Sequence, residues 1–363
     1  MPSLAGKPDS KLKLSVINSS TEKLTISELL TELWALRTFA IDFYPRGLDV
    51  KEALGIERER LEGTPLIDRF SDLDFINSLA TYVEAQKSEA ASNIQSIYGE
   101  QIPPELFRVP ALATFFPEIT SFSDEHAEKT GQALINAAKL AVALGASVVE
   151  FVLGRVVERC HNQPIGYERA RRLRCDYVCK SHPGDRIKRA GEVLKHVVSE
   201  IRSSAETKDV KFAAEIEPGY SFILNSQRNV GSFLDELARR RIIETVGLNL
   251  DIGHALILGD SLPEDERITA ETARLWKDHI LHAHVSDNIG YHFRDLVPGS
   301  FHHLYGEYPE STFRQWIKLC AECSDENKDF TKYLAVELES SSRIQWIQRS
   351  LLRLGYIIRE VCK

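Results

Sequence analysis

Eight short β-rich runs, each followed by a stretch of helical periodicity, leave this chain few ways to fold. The runs are "KLKLSVINS" (11–19), "TFAIDFY" (38–44), "VPALATFF" (109–116), "SVVEFVL" (147–153), "KFAAEIE" (211–217), "VGLNLD" (246–251), "ILHAHVS" (280–286) and "YLAVELE" (333–339). Between them, segments such as "TISELLTELWALR", "DEHAEKTGQALINAAKLAVALG", "DRIKRAGEVLKHVVSEIRSS", "NVGSFLDELARRR" and "STFRQWIKLCAEC" carry apolar residues three and four apart. Strict strand–helix alternation implies parallel pairing through right-handed crossovers, and eight such units close into a barrel. The expected fold is therefore α/β, a single (β/α)8 barrel over residues 1–363. An extra helical excursion is expected between the second and third strands, where the long helix-like stretch "FSDLDFINSLATYVEAQKSEAASNIQSIYG" intervenes. No repeat, low-complexity tract or linker divides the chain.

Composition narrows the function. With 363 residues, 43% of them hydrophobic, the chain can bury a large core. No apolar run reaches the roughly eighteen residues of a membrane span, and "MPSLAGKPDSKLKLS" lacks the apolar middle of a signal peptide. A cytoplasmic protein with no membrane partner is expected. Six cysteines are sparse for this length and are read as reduced thiols. A net charge of -8 opposes the phosphate backbone of nucleic acid as a partner, so a small-molecule substrate is the expectation, with a homodimer compatible with the barrel.

In such barrels the loops after the strands surround one open mouth, and the chemistry collects at the strand ends. Here the fifth strand finishes "AEIEPG", the sixth "LDIGH", the seventh "HAHVSDN" and the eighth "AVELES". Four consecutive strands thus end in carboxylate or imidazole. Neighbouring strands lie about 4.8 Å apart, so side chains from these ends can converge on one point. Alternation leaves three choices open, because Glu215 shares a face with Glu217, His282 with His284, and Glu337 with Glu339. Carboxylates facing one another in a barrel mouth repel or take up protons unless a cation removes the conflict. Three carboxylate oxygens and one imidazole nitrogen suit one divalent metal ion, Mn²⁺, Mg²⁺ or Co²⁺, with Zn²⁺ as a further option, and leave room for two substrate oxygens.

The ordered endings "EIEPG" (215–219), "DIGH" (251–254), "HVSD" (284–287) and "VEL" (336–338) resemble the xylose-isomerase-like TIM-barrel superfamily, the sugar (phosphate) isomerases and epimerases. The likeness covers roughly residues 211 to 340. It implies Glu215, Asp251, His284 and Glu337 as metal ligands, with Glu217 the rival of Glu215, and Glu215 and Glu337 as catalytic bases. It implies that His254 and Glu217 face the substrate and that Asp287 steadies the site from behind the ligands. His292, in "GYHFRDLVPG", lies where relatives place a further substrate-binding histidine, although the family's usual G-x-G there reads "PGS".

Chemistry of this kind removes a proton beside a metal-chelated carbonyl, and carboxylates next to the ion act as bases. Isomerisation, epimerisation and, with a leaving group β to the carbanion, dehydration all remain open, as does a barrel that binds a metabolite without turning it over. A repair endonuclease of the same superfamily fits poorly, since no histidines stand at the second and third strand ends. The segment from Arg155 to Arg189 carries ten Lys/Arg against four Asp/Glu, inverting the chain's overall sign. Arg155 and its neighbours could engage an anionic substrate group, or the run could be a solvated face. Cys160, His161, Cys175, Cys179 and His182 in this segment lack the usual C-x₂-C spacing of a zinc knuckle, and "CAEC" (320–323) is read as structural.

Overall fold

The computed structural model of the protein describes residues 11–21, 23–54, 64–121, 123–154, 183–217, 222–258, 262–288, 295–296, 310–338 and 344–362. All eight expected strands form: β1 (Lys13–Ile17), β2 (Ile41–Asp42), β3 (Ala111–Ala113), β4 (Val148–Val152), β5 (Lys211–Glu215), β6 (Val246–Asp251), β7 (Ile280–Val285) and β8 (Tyr333–Val336). They make one parallel sheet in the order β2-β1-β8-β7-β6-β5-β4-β3. Its two edges meet. Arg108 N donates to Phe39 O at 2.8 Å, Ile41 N to Arg108 O at 3.0 Å, and Ala113 N to Phe43 O at 2.9 Å. These bonds close the ring, so the sheet presents no unpaired edge.

Parallel strands covered on both faces read as continuous apolar runs rather than alternating ones, and β4, β6 and β7 are buried at every position. Helices supply the outer layer. α1 (Ile26–Trp34) starts at Thr25, whose side chain accepts from Glu28 N while the Glu28 carboxylate accepts from Thr25 N, a reciprocal capping box. Among the described residues, the expected excursion between β2 and β3 holds three α-helices: α2 (Gly47–Leu54), α3 (Thr64–Phe70) and α4 (Leu73–Tyr98). The last of these lies against α1 and α5 (Asp124–Leu144) and ends on Gly99 at φ 71°, a left-handed position that glycine adopts without strain. The ring of helices continues with α6 (Pro183–Ser203), α7 (Gln227–Arg240), α8 (Ile252–Leu258), α9 (Ala270–Arg274), α10 (Glu310–Glu326) and α11 (Ile344–Val361). Among the described residues no helix is long and apolar enough to cross a membrane.

Two local features matter for the mouth of the barrel. The ends of β1 and β2 are filled by a polar lock. Asn18 Nδ2 donates to Tyr44 O at 3.0 Å, its Oδ1 accepts from Tyr44 N at 2.7 Å, and the buried Arg46–Asp49 pair donates onward to Asn18 O at 2.9 Å. On the other side, the β6–β7 register shifts between Leu248, opposite Ile280, and Asn249, opposite His282. The extra residue in β7 is a bulge, which re-aims the side chains beyond it. Gly247 makes this crossing feasible: a Cβ there would stand 2.3 Å from the His279 carbonyl oxygen. Gly247→Ala is expected to cost about 1–3 kcal/mol or more, because the obstacle is backbone that cannot swing aside. Urea unfolding measures it, and an unchanged midpoint would contradict the close approach.

Candidate metal centre

Asp251 ends β6, and its carboxylate has two jobs. Oδ1 accepts from His254 N at 2.7 Å, capping the first turn of α8, which leaves Oδ2 turned to the barrel mouth. The D-x-x-H spacing is thereby explained in part by helix capping: the residue whose amide meets the cap is also the one whose ring is brought over the strand ends. His254 Nδ1 lies 3.1 Å from Ile216 O, 3.5 Å from Glu215 Oε1, 3.7 Å from Asp251 Oδ2 and 3.9 Å from Glu217 Oε2. Gly253 lets α8 pack down onto the end of β7, where a Cβ would strike Ser286 Oγ at 2.0 Å.

His284, fully buried on β7, is the hub. Its Nδ1 is 2.7 Å from Glu337 Oε2, 3.8 Å from Glu215 Oε1 and 4.0 Å from Asp251 Oδ2. One ligand atom from each of Glu215, Asp251, His284 and Glu337 lies within 4.8 Å of all the others. Glu337 is held there by its own backbone, whose N–H donates to Val285 O at 3.2 Å.

Buried polar atoms are ordinarily hydrogen-bonded, yet Glu215 Oε1 and Asp251 Oδ2 have no hydrogen-bond partner among the described residues. Burial, followed by the charges of Glu150 and Glu217, pushes the Glu215 carboxyl well above its ordinary range. Burial likewise raises Asp251, to about 6, against the pull of His254. His284 goes the other way for an imidazole: burial disfavours its charged form, but Glu150 and Glu337 outweigh it and hold the ring well above its ordinary value. Buried carboxyl groups that converge with oxygens lacking a hydrogen-bond partner are a donor set suited to a cation. The donor chemistry fits a divalent ion.

Beneath this cluster lies a second layer that the strand-end reading missed. Asp42 at the end of β2 accepts from His282 Nε2 at 2.5 Å, and His282 Nδ1 is 2.7 Å from Thr331 Oγ1. Burial would raise Asp42, but the facing His282 ring outweighs it and leaves the carboxyl well below the usual carboxylate range. His282 is thus paired with Asp42, while His284 is the β7 histidine that faces Glu215, Asp251 and Glu337. Glu150, in the middle of β4, brings Oε2 to 3.0 Å from His284 Nε2, close in distance but out of hydrogen-bond alignment. Burial opposes its charge too, and the His284 ring again prevails, holding it below its ordinary value. A lone glutamate in the apolar run "SVVEFVL" was the available signal for Glu150.

Glu217 is buried beside His254, its Oε2 3.9 Å from Nδ1 of that ring. Of the remaining expectations, Arg155, His292, Glu339, Cys160, His161, Cys175, Cys179 and His182 lie outside the described residues. The side chain of Asp287, in a two-residue strand paired with Asp295–Leu296, lies outside them as well. At the described end of the basic segment, Arg186 donates to Thr120 O at 2.8 Å, and Arg189 to Ser121 O at 3.2 Å and to Asp124. These two arginines tie α6 to the turn after β3. Cys320 and Cys323 are buried on α10, where burial pushes the Cys323 thiol up to about 12.

A family model described as the xylose isomerase-like TIM barrel matches residues 87–318. The chain belongs to this family. The match ends before β8, so Glu337 and Asp42 fall outside it, whereas likeness to solved structures spans nearly the whole chain. A D-tagatose 3-epimerase-like protein is 15% identical with a TM-score of 0.59, covering 97% of this chain and 98% of that one. D-psicose 3-epimerase from Clostridium cellulolyticum H10, solved with D-tagatose, is 13% identical with a TM-score of 0.58, covering 97% and 100%. An IOLI protein with a zinc atom is 16% identical with a TM-score of 0.53, covering 97% and 96%. At these identities the likeness shows the xylose isomerase-like fold. No curated protein sequence matches the chain.

The raised Asp251 carboxyl has a consequence for stability. It binds its proton more tightly in the folded chain than in an unfolded one, so the metal-free protein loses stability as pH rises from 3.8 through about 6. Asp251→Asn removes that loss. Thermal unfolding in the presence of a chelator should show the variant gaining on the wild type by roughly a few degrees between pH 4 and pH 7. A difference independent of pH would contradict the assignment.

Proposed function

We propose that the protein is a divalent-metal-dependent isomerase or epimerase acting on a sugar, sugar phosphate or related polyol ketone by proton abstraction next to a carbonyl. The observation that carries this reading is the cluster itself: four donor atoms within 4.8 Å of one another, on the ends of four consecutive strands, two of them buried oxygens without a partner. Mn²⁺, Mg²⁺ or Co²⁺ suits a donor set of three carboxylates and one imidazole, with Zn²⁺ accommodated. Bound by Glu215, Asp251, His284 and Glu337, such an ion supplies Lewis-acid polarisation of a substrate carbonyl.

The chain's own groups then divide the work. Glu215 and Glu337 stand on β5 and β8, the outer two of the four strands, with β6 and β7 between them. Two carboxylates on opposite sides of a bound ketose can take a proton from one face and return one to the other, which inverts a carbinol centre. Returned to the neighbouring carbon instead, the proton gives aldose–ketose exchange. His254 and Glu217, adjacent at the rim, are assigned to orienting substrate hydroxyls. Arg155 and His292 are proposed as further substrate contacts, and Asp287 as a support for the ligands. The solved structures of similar fold include epimerases of D-tagatose and D-psicose type, which supports a carbohydrate-like substrate.

The reading is tested by incubating the protein with Mn²⁺ and a panel of ketoses, sugar phosphates and inososes in D₂O. Deuterium should enter beside the carbonyl of at least one substrate, and a chelator should abolish it. Glu215→Gln and Glu337→Gln should each lower the exchange by about 10²- to 10⁴-fold. Undiminished exchange in both variants would remove these residues from the mechanism, and ligand binding without exchange in the wild type would make the barrel a binder.

A further inference from the structure

The metal reading uses one nitrogen of His284. Its other nitrogen, Nε2, faces the lower polar layer, 3.0 Å from Glu150 Oε2 and 3.6 Å from Asp42 Oδ2. All of these groups are buried: Asp42 and His284 are 0% exposed, and Glu150 is 3% exposed. Asp42 is already engaged, since its Oδ2 takes the short bond from His282. Glu150 Oε2 and His284 Nε2 have no aligned partner. The only acceptor that faces His284 Nε2 closely without a competing donor, among the described residues, is therefore Glu150.

We infer that Glu150 is a positioning residue. With a cation on Nδ1, a small adjustment of the ring brings the Nε2–H of His284 onto Glu150 Oε2, 3.0 Å away, which fixes the tautomer that leaves the Nδ1 lone pair for the cation and holds the ring plane toward Glu215, Asp251 and Glu337. Asp42, pinned by His282, whose other nitrogen meets Thr331, backs the same edge of the ring and keeps it from turning over. A histidine ligand backed by a carboxylate is more basic and better oriented than one backed by solvent, and loss of such a partner ordinarily costs metal affinity about 10- to 100-fold. Glu150 sits mid-strand, with Ala113 and Ala213 as its register partners on β3 and β5. Those small neighbours leave the lumen open for its side chain to reach across to β7. Had Asp42, His282 and His284 formed a second cation site instead, His282 would need a free nitrogen; both its nitrogens are already within 2.7 Å of Asp42 or Thr331.

This inference rests on the metal reading of the four-residue cluster, and its test separates the two. Calorimetric titration of the chelator-treated, full-length protein with Zn²⁺ or Mn²⁺ gives affinity and stoichiometry for wild type, Glu150→Gln and Glu150→Leu. Histidine-ring ¹⁵N spectra of the Zn²⁺-loaded proteins report the tautomer of His284. The expected result is one ion per chain in all three proteins. Affinity should be about 10- to 100-fold weaker in Glu150→Leu and less reduced in Glu150→Gln, whose amide oxygen still accepts. His284 should be Nε2-protonated in the wild type, with that signal altered in Glu150→Leu. The isosteric Gln variant keeps the comparison valid should the Leu variant fail to fold. Affinities within twofold of wild type in the folded variants, with an unaltered ring spectrum, would overturn the role of Glu150 and leave the metal site standing. Two ions bound per wild-type chain, falling to one in Glu150→Gln, would make Glu150 a ligand and overturn it as well. No ion bound by the wild type would sink both the metal reading and this inference.

Discussion

Too much negative charge in too dry a place is the condition around which this barrel is organised. Five carboxylates, Asp42, Glu150, Glu215, Asp251 and Glu337, meet two imidazoles, His282 and His284, in a lumen where all but Glu337 are nearly or wholly buried. An unpaired buried carboxylate costs several kcal/mol, so each must find a partner, keep a proton or hold a cation. The two layers solve the problem differently. In the lower one Asp42 is paired and driven toward its ionised form, and in the upper one Glu215 and Asp251 are driven toward protonation around oxygens with nothing to accept from. The lower layer is tied together by the Asp42–His282 hydrogen bond, and the upper presents its partnerless oxygens to the barrel mouth.

The scaffold supports this at modest cost because its precision comes from backbone rather than from loops. β5 to β8 are adjacent and parallel, so their ends fall side by side without any loop having to be ordered. The bulge beside Gly247 sets where His282 and His284 fall, Asp251 is anchored by capping α8, and Glu337 is tied to β7 by its amide. Sites built on rigid elements hold their geometry better than sites on loops. The ends of β1 and β2, by contrast, are given over to the Asn18–Arg46–Asp49 lock, which explains why the candidate ligands come from the opposite half of the ring.

Much of this was legible in the chain because parallel strands covered on both faces are apolar throughout, which makes any ionisable residue in them conspicuous. The eight runs, the excursion before the third strand and the endings of strands five to eight could all be read that way. Asp42 was harder to see, since β2 has only two residues and its "TFAIDFY" run gives little pattern from which to tell facing. Glu150 was passed over because it lies mid-strand, away from the ends where attention falls. Alternation puts His282 and His284 on one face; what tells them apart is their partners, and the one that holds His282, Asp42, lies 240 positions away in sequence. Long-range pairing of that kind leaves no local mark.

Anomalous diffraction from a crystal soaked in Mn²⁺ at neutral pH would bear on all of this at once. A single strong peak should lie among Glu215, Asp251, Glu337 and Nδ1 of His284, with His282 still bonded to Asp42. A crystal with no peak there, and with the three carboxyl groups bonded to one another or to arginine, would contradict the account.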